Sequence, residues 1–517
     1  KLLTGRKAGF DDLRKYGGMS GFPKRKESDC DAFDTGHSST SISAGLGYVA
    51  ARDIQKQDYH VVSVIGDGSL TGGMAYEALN NAAHVKSNFI IVLNDNNMSI
   101  SPNVGGVSNY LSGLRTATAY TELKRGVEDT LKKIPVKGEK LVSQIKKTKS
   151  GLKQFLVPGM FFEDMGITYL GPVDGHDIRK LYKVFSEAKR LNHAVLVHVL
   201  TKKGKGYLPA EKNPSRFHGT PPFVIETGEA KQTSEKDSYT DVFSKVITDV
   251  GKKDEKVVTI TAAMADGTGL NRFAKHFPDR FFDVGIAEEH ALTFAAGLAA
   301  GGMKPVVALY SSFLQRAYDQ AIHDVCLQNL PVVLAVDRAG LVGSDGETHQ
   351  GLFDLSFLTT IPNMTIMSPK NRWEMADMVR YAIDFQYPIA LRYPRGAAYE
   401  GFKEFRAPIE YGKSEMLYQE SEIAIIFVGH MAKLAKDVRE ELKNRGYSCT
   451  LVNARFVKPL DKEMLVQLAA NHRIYVTIEE NVLSGGFGQQ VLDCVERERL
   501  DVYVHSFGIP DDYVEHG

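Results

Sequence analysis

Short runs of apolar, often β-branched residues recur along the chain, and each is followed by a glycine or polar turn and a helix-like stretch. Several runs are apolar on consecutive positions, which is typical of strands buried on both faces of a parallel sheet. Alternation of strands and helices over this length predicts an α/β fold. The predicted strands are His60–Ile65, Phe89–Leu93, Ala194–Leu200, Val257–Thr261, Pro305–Tyr310, Val332–Val336, Glu422–Val428, Cys449–Val452 and Ile474–Ile478.

Two polar stretches divide the chain. Residues 226–238 (ETGEAKQTSEKDS) lack large apolar side chains and are predicted to be a linker, and Tyr399–Tyr411 mixes glycine, proline and charge. We therefore predict three α/β domains with mainly parallel sheets, at 1–225, 239–398 and 412–517. The chain opens without a methionine and stops without a final helix, so the first and third domains are expected to be incomplete.

Two local patterns allow a structural and a functional interpretation. The lysine-rich stretch 132–153 has an amphipathic pattern, which favours a solvated helix face over a binding patch. The Gly485–Gly488 turn could bind an anion, but glycines at such a position more often allow a helix start to pack closely. We interpret both patterns structurally.

Composition narrows the class of protein. The chain has 517 residues, enough for two to four domains, and its 63 basic and 63 acidic residues give a net charge of zero. A protein that binds mainly nucleic acid would carry a basic excess. The four cysteines are far apart, which favours a reducing compartment over a zinc or disulfide scaffold. No apolar run approaches the roughly 20 residues that span a bilayer. We therefore expect an intracellular protein without nucleic-acid or membrane partners.

The first candidate for chemistry is Gly66-Asp67-Gly68-Ser69, between a predicted strand and a predicted helix at 71–83. Such loops bind phosphates in parallel α/β sheets, and Asp67 could hold a divalent metal. The next strand is followed by Asn94–Ser99, where Asn96 could add an amide oxygen. Asparagine is also common in turns, so the Asn cluster alone favours a turn. Together, the two loops favour a Mg²⁺ site.

The residues of two further polar segments allow both a structural and a functional interpretation. The acids of Asp283–His290 could stabilise a helix N-terminus or form one buried hydrogen bond, and this segment alone favours the first. The loops Asp337–Gly340, Ser344–Gln350 and Arg392–Gly396 follow predicted strands. Their arginines suit a phosphate or carboxylate, but surface ion pairs explain them equally well.

Together these motifs resemble the thiamine-diphosphate enzymes of the transketolase superfamily, and more closely the 1-deoxy-D-xylulose-5-phosphate synthase family. The resemblance runs nearly end to end. The stretches that carry it are LLTGR (2–6), GHSSTSISAGLG (36–47), VIGDGSLTGGMAYEALN (64–80), LNDNNMSIS (93–101), GPVDGHD (171–177), TKKGKGY (201–207), FFDVGIAEEHALTFAAGLA (281–299), YSSFLQRAYDQ (310–320), DRAGLVGSDGETHQG (337–351) and RYPRG (392–396).

The resemblance implies a transferase that joins the two-carbon unit of pyruvate to D-glyceraldehyde 3-phosphate with release of CO₂. The product, 1-deoxy-D-xylulose 5-phosphate, begins the non-mevalonate isoprenoid pathway and supplies thiamine and pyridoxal synthesis. The resemblance also implies thiamine diphosphate and Mg²⁺ as cofactors, a homodimer, and a bacterial cytoplasm or a plant plastid as location. In this family a segment preceding LLTGR supplies two further active-site histidines, which this sequence does not contain.

The resemblance assigns roles to individual residues. For the metal, it implies the side chains of Asp67 and Asn96 and the carbonyl of Met98. Glu288 matches the glutamate that binds the aminopyrimidine ring of the cofactor, and Phe313 matches the residue that stacks on it. The other residues expected to line the cofactor are Gly36, His37, Ser38, Gly68, Ser69 and Tyr207. The expected catalytic residues are Glu288, His37, His349, Tyr310 and Asp345. The expected substrate contacts are Tyr310, Arg316, Arg338, His349 and Arg395, with the arginines as a phosphate clamp.

Two other functions remain alternatives. One is a transketolase-type enzyme that moves two-carbon units between sugar phosphates, from which dependence on pyruvate with CO₂ release would distinguish a synthase. The other is a non-catalytic subunit that binds thiamine diphosphate. The intact Asp67, Asn96 and Glu288 argue against the second alternative, because a decayed site would be expected to lose at least one of them.

Overall fold

The computed structural model of the protein describes residues 1–99, 103–116, 160–231 and 236–517. The predicted lysine-rich helix face at 132–153 lies outside the described residues. The strands are β1 Val62–Gly66, β2 Phe89–Asp95, β3 Thr168–Asp174, β4 Ala194–Leu200, β5 Val257–Thr261, β6 Phe281–Asp283, β7 Lys304–Tyr310, β8 Val333–Asp337, β9 Thr365–Met367, β10 Ile389–Arg392, β11 Glu415–Tyr418, β12 Glu422–Phe427, β13 Cys449–Asn453, β14 Phe456–Lys458, β15 His472–Val482 and β16 Tyr503–Ile509.

Helices follow most of these strands, as the alternating pattern predicts. The α-helices are Ser41–Gln55, Gly73–Ala82, Gly105–Thr116, Met160–Asp164, Ile178–Ala188, Leu208–Lys212, Tyr239–Gly251, Asn271–His276, Glu288–Ala300, Ser311–Leu314, Tyr318–Gln320, Asp354–Thr359, Arg372–Asp384, Ala432–Asn444, Lys462–Ala469 and Phe487–Arg497. A π-helical segment covers Ala321–Cys326. The short 3₁₀ turns are Leu2–Thr4, Lys7–Asp12, Ser69–Thr71, Pro278–Arg280, Gln315–Ala317, Gly346–Thr348 and Gly429–Met431. Within the described part of the chain, every helix is too short or too polar to span a bilayer.

The chain forms two compact units. The small unit, Ser38–Gln232, contains a parallel sheet of order β1-β2-β4-β3. In the register of β1 and β2, Gly66 lies opposite Asn94. The two loops that carry Asp67 and Asn96 therefore leave neighbouring strands at the same edge of the sheet, as the sequence predicted.

The large unit, Lys1–His37 with Thr233–Gly517, contains two sheets among its described residues. The first has the order β14-β9-β10-β8-β7-β5-β6 and is parallel except for β14, which runs antiparallel to β9. The second has the order β11-β13-β12-β15-β16 and is parallel except for β11. Strand β14 comes from the predicted third domain but joins the sheet of the second. Residues 1–37 belong to this large unit, whereas the prediction grouped them with 38–225.

The observed elements confirm the predicted α/β class with mainly parallel sheets. The predicted strands at 194–200 and 257–261 coincide with β4 and β5, and the other predicted strands overlap observed ones. The turn at 485–488 is a helix start, as interpreted. The carboxylate of Glu479 accepts the backbone N–H groups of Phe487 and Gly488 at 2.7 and 2.8 Å. These two donors are therefore already satisfied within the chain.

Candidate active site

Asp67 is the buried carboxylate of the small unit's candidate site. It directly follows β1, and its backbone N–H donates to the carbonyl of Asn94 at 3.2 Å. The side-chain amide of Asn103 donates to Asp67 Oδ2 at 2.8 Å, whereas Oδ1 is buried without a hydrogen-bond partner among the described residues. Burial is the main cause that raises the pKa of Asp67 to about 7, and the neighbouring carboxyl of Asp95 adds to the shift. A cation bound at Oδ1 would favour the ionised form.

Asp95 is the second buried carboxylate of this site, and it is fully paired. Arg115 contacts both of its oxygens, with Nε 2.7 Å from Oδ2 and Nη2 2.6 Å from Oδ1. His198 Nε2 lies 2.9 Å from Oδ2, and the hydroxyl of Tyr169 bonds to His198 Nδ1 at 2.7 Å. Burial alone would raise the pKa of Asp95, but the hydrogen bonds from His198 and Arg115 more than offset it and lower the pKa.

The loop after β2 packs tightly against the loop after β1. A Cβ on Gly68 would lie 2.7 Å from the Cβ of Ser99, so a larger residue would displace this loop. Asn96 Oδ1 accepts the backbone N–H of Met98 at 3.1 Å, and Asn97 has a φ of 64°. These contacts fix the Asn96 side chain in a turn of the loop that packs against the loop of Asp67.

The donor set fits Mg²⁺. The described residues contain no group of three or more His, Cys, Asp and Glu side chains that could enclose a metal. One carboxylate with an unpartnered oxygen, together with amide and carbonyl oxygens, is a hard and incomplete ligand set. Mg²⁺ is usually bound in this way, because it keeps water or phosphate oxygens in its remaining positions.

Other predicted cofactor residues of the small unit lie in ordered contacts. The hydroxyl of Ser39 donates to the carbonyl of Ser69 at 2.7 Å and lies 3.4 Å from that of Ser38. The Tyr207 hydroxyl donates to the carbonyl of Ile225 at 2.6 Å, so it is engaged within its own unit.

Glu288 is the buried acid of the large unit's candidate site. It is the first residue of the helix Glu288–Ala300, and its Oε2 is buried without a hydrogen-bond partner in the described residues. Arg316 Nη1 lies 3.8 Å from this oxygen. Burial raises the pKa of Glu288, and the charge of Arg316 opposes the shift. The protonated form of the carboxyl is therefore favoured relative to an exposed glutamate, and one of its oxygens is available to a ligand.

Aromatic rings surround Phe313 in the same unit. Tyr310 stacks on Phe313 with centroids 5.4 Å apart, and His37 and His349 meet it edge-on at 5.0 and 5.5 Å. Phe22 in turn stacks on the His349 ring, with centroids 5.0 Å apart. The cluster combines stacked and edge-on aromatic rings, which is a lining suited to a planar ring.

The two histidines of this cluster are kept neutral by burial. His37 Nε2 bonds to the carbonyl of Thr348 at 2.7 Å, and His349 Nδ1 bonds to the Thr348 hydroxyl at 2.8 Å. Burial lowers the pKa of His37, and it lowers the pKa of His349 to about 4. A Cβ on Gly36 would lie 2.5 Å from Thr348 Cβ, so glycine is required for this close approach.

Arg338 lies at the end of β8 with its guanidinium 3.9 Å from the ring centroid of Tyr310. Its backbone has a φ of 57°, and its N–H donates to Asp337 Oδ1 at 2.6 Å. Asp337 is fully buried and also accepts the hydroxyl of Thr240 at 2.8 Å. Burial raises the pKa of Asp337 to about 7.

Asp345 lies between two arginines. Arg14 Nη1 donates to Asp345 Oδ1, and Arg395 Nη1 lies 3.5 Å from Oδ2. Arg395 also donates to the carbonyl of Val342 at 3.1 Å, and its side chain remains 44% exposed. Arg395 can therefore still reach an anion in solution.

Sequence profiles of three families match the chain in succession. The profile described as "1-deoxy-D-xylulose-5-phosphate synthase" matches residues 1–201, "Transketolase, pyrimidine binding domain" matches 235–400, and "Transketolase, C-terminal domain" matches 412–517. The 1-deoxy-D-xylulose-5-phosphate synthase of Lachnoclostridium phytofermentans is 58% identical over 518 residues, which cover 100% of this chain and 83% of that protein. The chain belongs to the 1-deoxy-D-xylulose-5-phosphate synthase family.

Further relatives agree with this synthase family. The 1-deoxy-D-xylulose-5-phosphate synthase of Natranaerobius thermophilus is 54% identical over 521 residues, which cover 100% of this chain and 82% of that protein. A solved structure titled "Split gene transketolase, inactive beta4 tetramer" is 28% identical with a TM-score of 0.50, and the match covers 53% of this chain and 90% of that one. The transketolase-like fold and the dependence on thiamine diphosphate follow from this membership.

The site residues that the synthase resemblance predicts fall into two sets, one in the small unit and one in the large unit. Asp67, Gly68, Ser69, Asn96 and Met98 lie at the carboxyl edge of the β1–β2 pair. In the large unit, contacts join His37, Tyr310, Phe313, Arg338 and His349 in one cluster, and link Glu288 to Arg316 and Asp345 to Arg395. The roles assigned to all of these residues stay predictions.

Sequence reasoning missed several polar residues of the synthase site. A sequence signal existed for His198, the one histidine inside the otherwise apolar strand Ala194–Leu200, and for Asp95, which lies within the asparagine-rich segment 94–99. Lys203, in TKKGKGY, donates to the carbonyl of Ser99 at 2.5 Å and to His218 Nδ1 at 2.9 Å, and burial lowers its pKa. Nothing in the sequence indicated that Arg115 belongs to the site, because an arginine near a helix end is ordinarily a surface residue.

Proposed function

We propose that the chain condenses pyruvate with D-glyceraldehyde 3-phosphate to 1-deoxy-D-xylulose 5-phosphate and CO₂, as the name of its relatives indicates. The observation that carries the proposal is the buried Glu288 carboxyl, whose Oε2 has no hydrogen-bond partner in the described residues. A buried acid with one unpartnered oxygen is suited to binding a ring nitrogen of a cofactor. Family membership supplies the identity of that cofactor, thiamine diphosphate.

Magnesium would be held in the small unit. Asp67 Oδ1, the amide oxygen of Asn96 and the carbonyl of Met98 would bind the ion, and the diphosphate of the cofactor would complete its oxygen ligands. Gly68 leaves room for close backbone approach, and Ser38 and Ser69 would add hydrogen bonds. Tyr207 would line the same cofactor. The partner for Asp67 Oδ1 would then be the ion itself.

In the large unit, Glu288 would bind the aminopyrimidine ring of the cofactor while Phe313 stacks on it. When bound, thiamine diphosphate acts as the electron sink for decarboxylation. The raised pKa of Glu288 favours its protonated form, which would share a proton with a ring nitrogen. Gly36 would help to shape the cofactor site by letting residues 36–37 approach Thr348.

Substrate would meet the polar side chains around Tyr310. Arg338 and Arg395 would bind the phosphate of glyceraldehyde 3-phosphate, because a guanidinium group can donate two parallel hydrogen bonds to phosphate oxygens. Arg316, which lies near Glu288, would be a further substrate contact. His37 and His349, neutral at pH 7, would accept and return protons at their ring nitrogens, with Tyr310 and Asp345 as further contacts. Their lowered pKa values keep these nitrogens available as bases.

We further propose that the protein is a homodimer in a bacterial cytoplasm and that its product enters isoprenoid, thiamine and pyridoxal synthesis. Bacterial relatives support the location, and the family supports the assembly. Sedimentation of the purified protein would test the dimer.

The test of the activity follows CO₂ release from carboxyl-labelled pyruvate with thiamine diphosphate and Mg²⁺, with and without glyceraldehyde 3-phosphate. We expect release that requires the aldehyde and a product identified by mass and NMR as deoxyxylulose phosphate. Exchange of two-carbon units between sugar phosphates without pyruvate would instead indicate a transketolase. Binding of the cofactor without any turnover would indicate a non-catalytic subunit.

A further inference from the structure

Glu480, on β15, reaches the turn that follows β8. Its Oε2 accepts the backbone N–H of Leu341 at 3.0 Å and bonds to His430 Nε2 at 2.6 Å. Because an ionised carboxylate only accepts hydrogen bonds, the proton of this second bond lies on His430 Nε2. Glu480, which His430 supports, therefore holds the backbone of a turn in the second predicted domain from a strand of the third.

The turn is shaped around this carboxylate. Gly340 has a φ of 87°, and a Cβ there would lie 1.9 Å from Glu480 Oε2, so only glycine fits. The N–H of Gly340 donates to the carbonyl of Gly351 at 2.6 Å, which anchors the other side of the turn. Arg392 Nη2 donates to the main-chain carbonyl of Glu480 at 2.6 Å and fixes the strand that presents the carboxylate.

Arg338 lies two residues before Gly340 in the same turn. A non-glycine residue at a φ of 57° is strained, and it persists only where neighbouring contacts hold it. The strained backbone aims the guanidinium over the ring of Tyr310, 3.9 Å from its centroid. The direction of this arginine therefore depends on how firmly the turn is held.

We propose that Glu480 and His430 are positioning residues for Arg338. They fix the turn from the five-stranded sheet and so set the place of a guanidinium that faces substrate. The clamp itself stands on the contacts above, whereas its effect on glyceraldehyde 3-phosphate rests on the proposed function. The third domain would thereby tune substrate binding without touching substrate.

The first test is hydrogen–deuterium exchange of the turn in the full-length protein. We expect Glu480→Ala to speed exchange of the Leu341 amide by about tenfold or more, because it removes a charge-assisted hydrogen bond. The matched control is His472→Gln, a buried histidine at the start of β15 whose ring, among the described residues, bonds to Leu468 and Thr450 at 2.7 Å. Unchanged exchange in Glu480→Ala, or equal acceleration in both variants, would overturn the clamp.

The second test separates positioning from general damage. Glu480→Gln can still accept both hydrogen bonds through its amide oxygen, so it should restore most of the protection that Glu480→Ala loses. His430→Ala removes one of the two contacts at Glu480 Oε2 and should have an intermediate effect on Leu341 exchange. If Glu480→Gln exchanged as fast as Glu480→Ala, the hydrogen bond would not be the device that holds the turn.

The third test is kinetic. Glu480→Ala should raise the KM for glyceraldehyde 3-phosphate about tenfold with a smaller change in kcat and in the KM for pyruvate, and this rise should disappear in an Arg338→Ala background. Equal effects with and without Arg338 would overturn its positioning by Glu480. If the wild-type protein shows no synthase activity, the proposed function fails, and the exchange measurements still decide the clamp.

Discussion

At the scale of single residues, burial decides the chemistry of the acids. Asp67, Glu288 and Asp337 are each buried, and burial is the largest cause that raises the pKa of each one. Asp67 and Glu288 also each have one oxygen without a hydrogen-bond partner in the part of the chain that the structure describes. A buried carboxyl left incomplete in this way is costly unless a ligand completes it.

We expect Glu288→Gln to lower kcat by two or more orders of magnitude. Glutamine keeps the size of the side chain but cannot exchange a proton, and a lost acid–base group costs about 100-fold or more. Steady-state assays of CO₂ release measure the effect.

The control for this variant is Glu289→Gln, the next residue of the same helix. It reports whether a neutral side chain at the helix start disturbs the site by itself. Full activity in Glu288→Gln, or an equal loss in both variants, would remove Glu288 from the chemistry.

Asp337 makes a prediction about pH and stability. In the unfolded chain its pKa is about 3.9, and in the folded protein burial raises it to about 7. Between these values the folded state binds more protons, so stability falls as the pH rises. From pH 6 to 8 the wild type should lose about 1 kcal/mol more than Asp337→Asn, in which this position does not titrate.

Thermal unfolding of both proteins at several pH values measures this difference. Asparagine can still accept the N–H of Arg338 through its amide oxygen, and its amide nitrogen can donate to the Thr240 hydroxyl, so the variant should fold. Parallel pH profiles for the two proteins would show that Asp337 keeps an ordinary pKa.

At the scale of elements, parallel strand pairing builds the candidate metal loop. The pairing of β1 with β2 aligns Gly66 with Asn94, and the pairing of β2 with β4 aligns Leu93 with His198. His198 bonds to Asp95, the residue that directly precedes Asn96. The position of a candidate metal ligand therefore depends on a strand about 100 residues further along the chain.

We expect His198→Asn to weaken binding of Mn²⁺, a paramagnetic substitute for Mg²⁺, by about tenfold. The variant removes the hydrogen bond to Asp95 that orients the loop, and groups behind metal ligands typically change affinity by 10–100-fold. Electron paramagnetic resonance titration in the presence of thiamine diphosphate gives the affinity without any turnover.

His193→Asn is the matched control for this element. His193 directly precedes β4, at the opposite end of the paired strands from the loop after β2, and it bonds to the Thr168 hydroxyl at 2.7 Å. It should bind Mn²⁺ as the wild type does. Equal affinities in both histidine variants would show that His198 does not support the metal site.

At the scale of the whole molecule, buried ion pairs join the two sheets of the large unit. Lys370 Nζ contacts Glu374 and Glu415 at 2.9 and 2.6 Å, and Arg455 contacts the same two acids at 2.8 and 2.9 Å. All four side chains are at most 5% exposed. Together with β14, which crosses into the seven-stranded sheet, this network makes the second and third predicted domains parts of one compact unit.

We expect Lys370→Met to lower the free energy of unfolding of the large unit by about 3–5 kcal/mol. The change leaves two buried carboxylates with a single guanidinium, and an uncompensated buried charge is strongly destabilising. Arg473→Met at the exposed Arg473–Asp501 pair is the control and should cost less than about 1 kcal/mol. Urea unfolding compares the two, and equal small losses would contradict a structural role for the network.

The sequence predicted the strands and the edge loops because both depend on short stretches. The apolar runs at Ala194–Leu200 and Val257–Thr261 coincide with strands, since a strand buried on both faces leaves a local signature. The short strands β6, β9 and β14 have three residues each, too few to form a pattern. The sequence motifs around Asp67 and Glu288 indicated the family, because each motif is a run of consecutive residues that can be recognised without the fold.

What the sequence determined by itself is the α/β class, the synthase family and the candidates at Asp67 and Glu288. What the tertiary structure decided is everything that depends on distant partners. Burial and pairing set opposite pKa shifts for Asp67 and Asp95, and Glu480 meets the turn of Arg338 across about 140 residues. The physical reason is that strand register and hydrogen bonds within short stretches are local, whereas desolvation and long-range contacts exist only once the chain has folded.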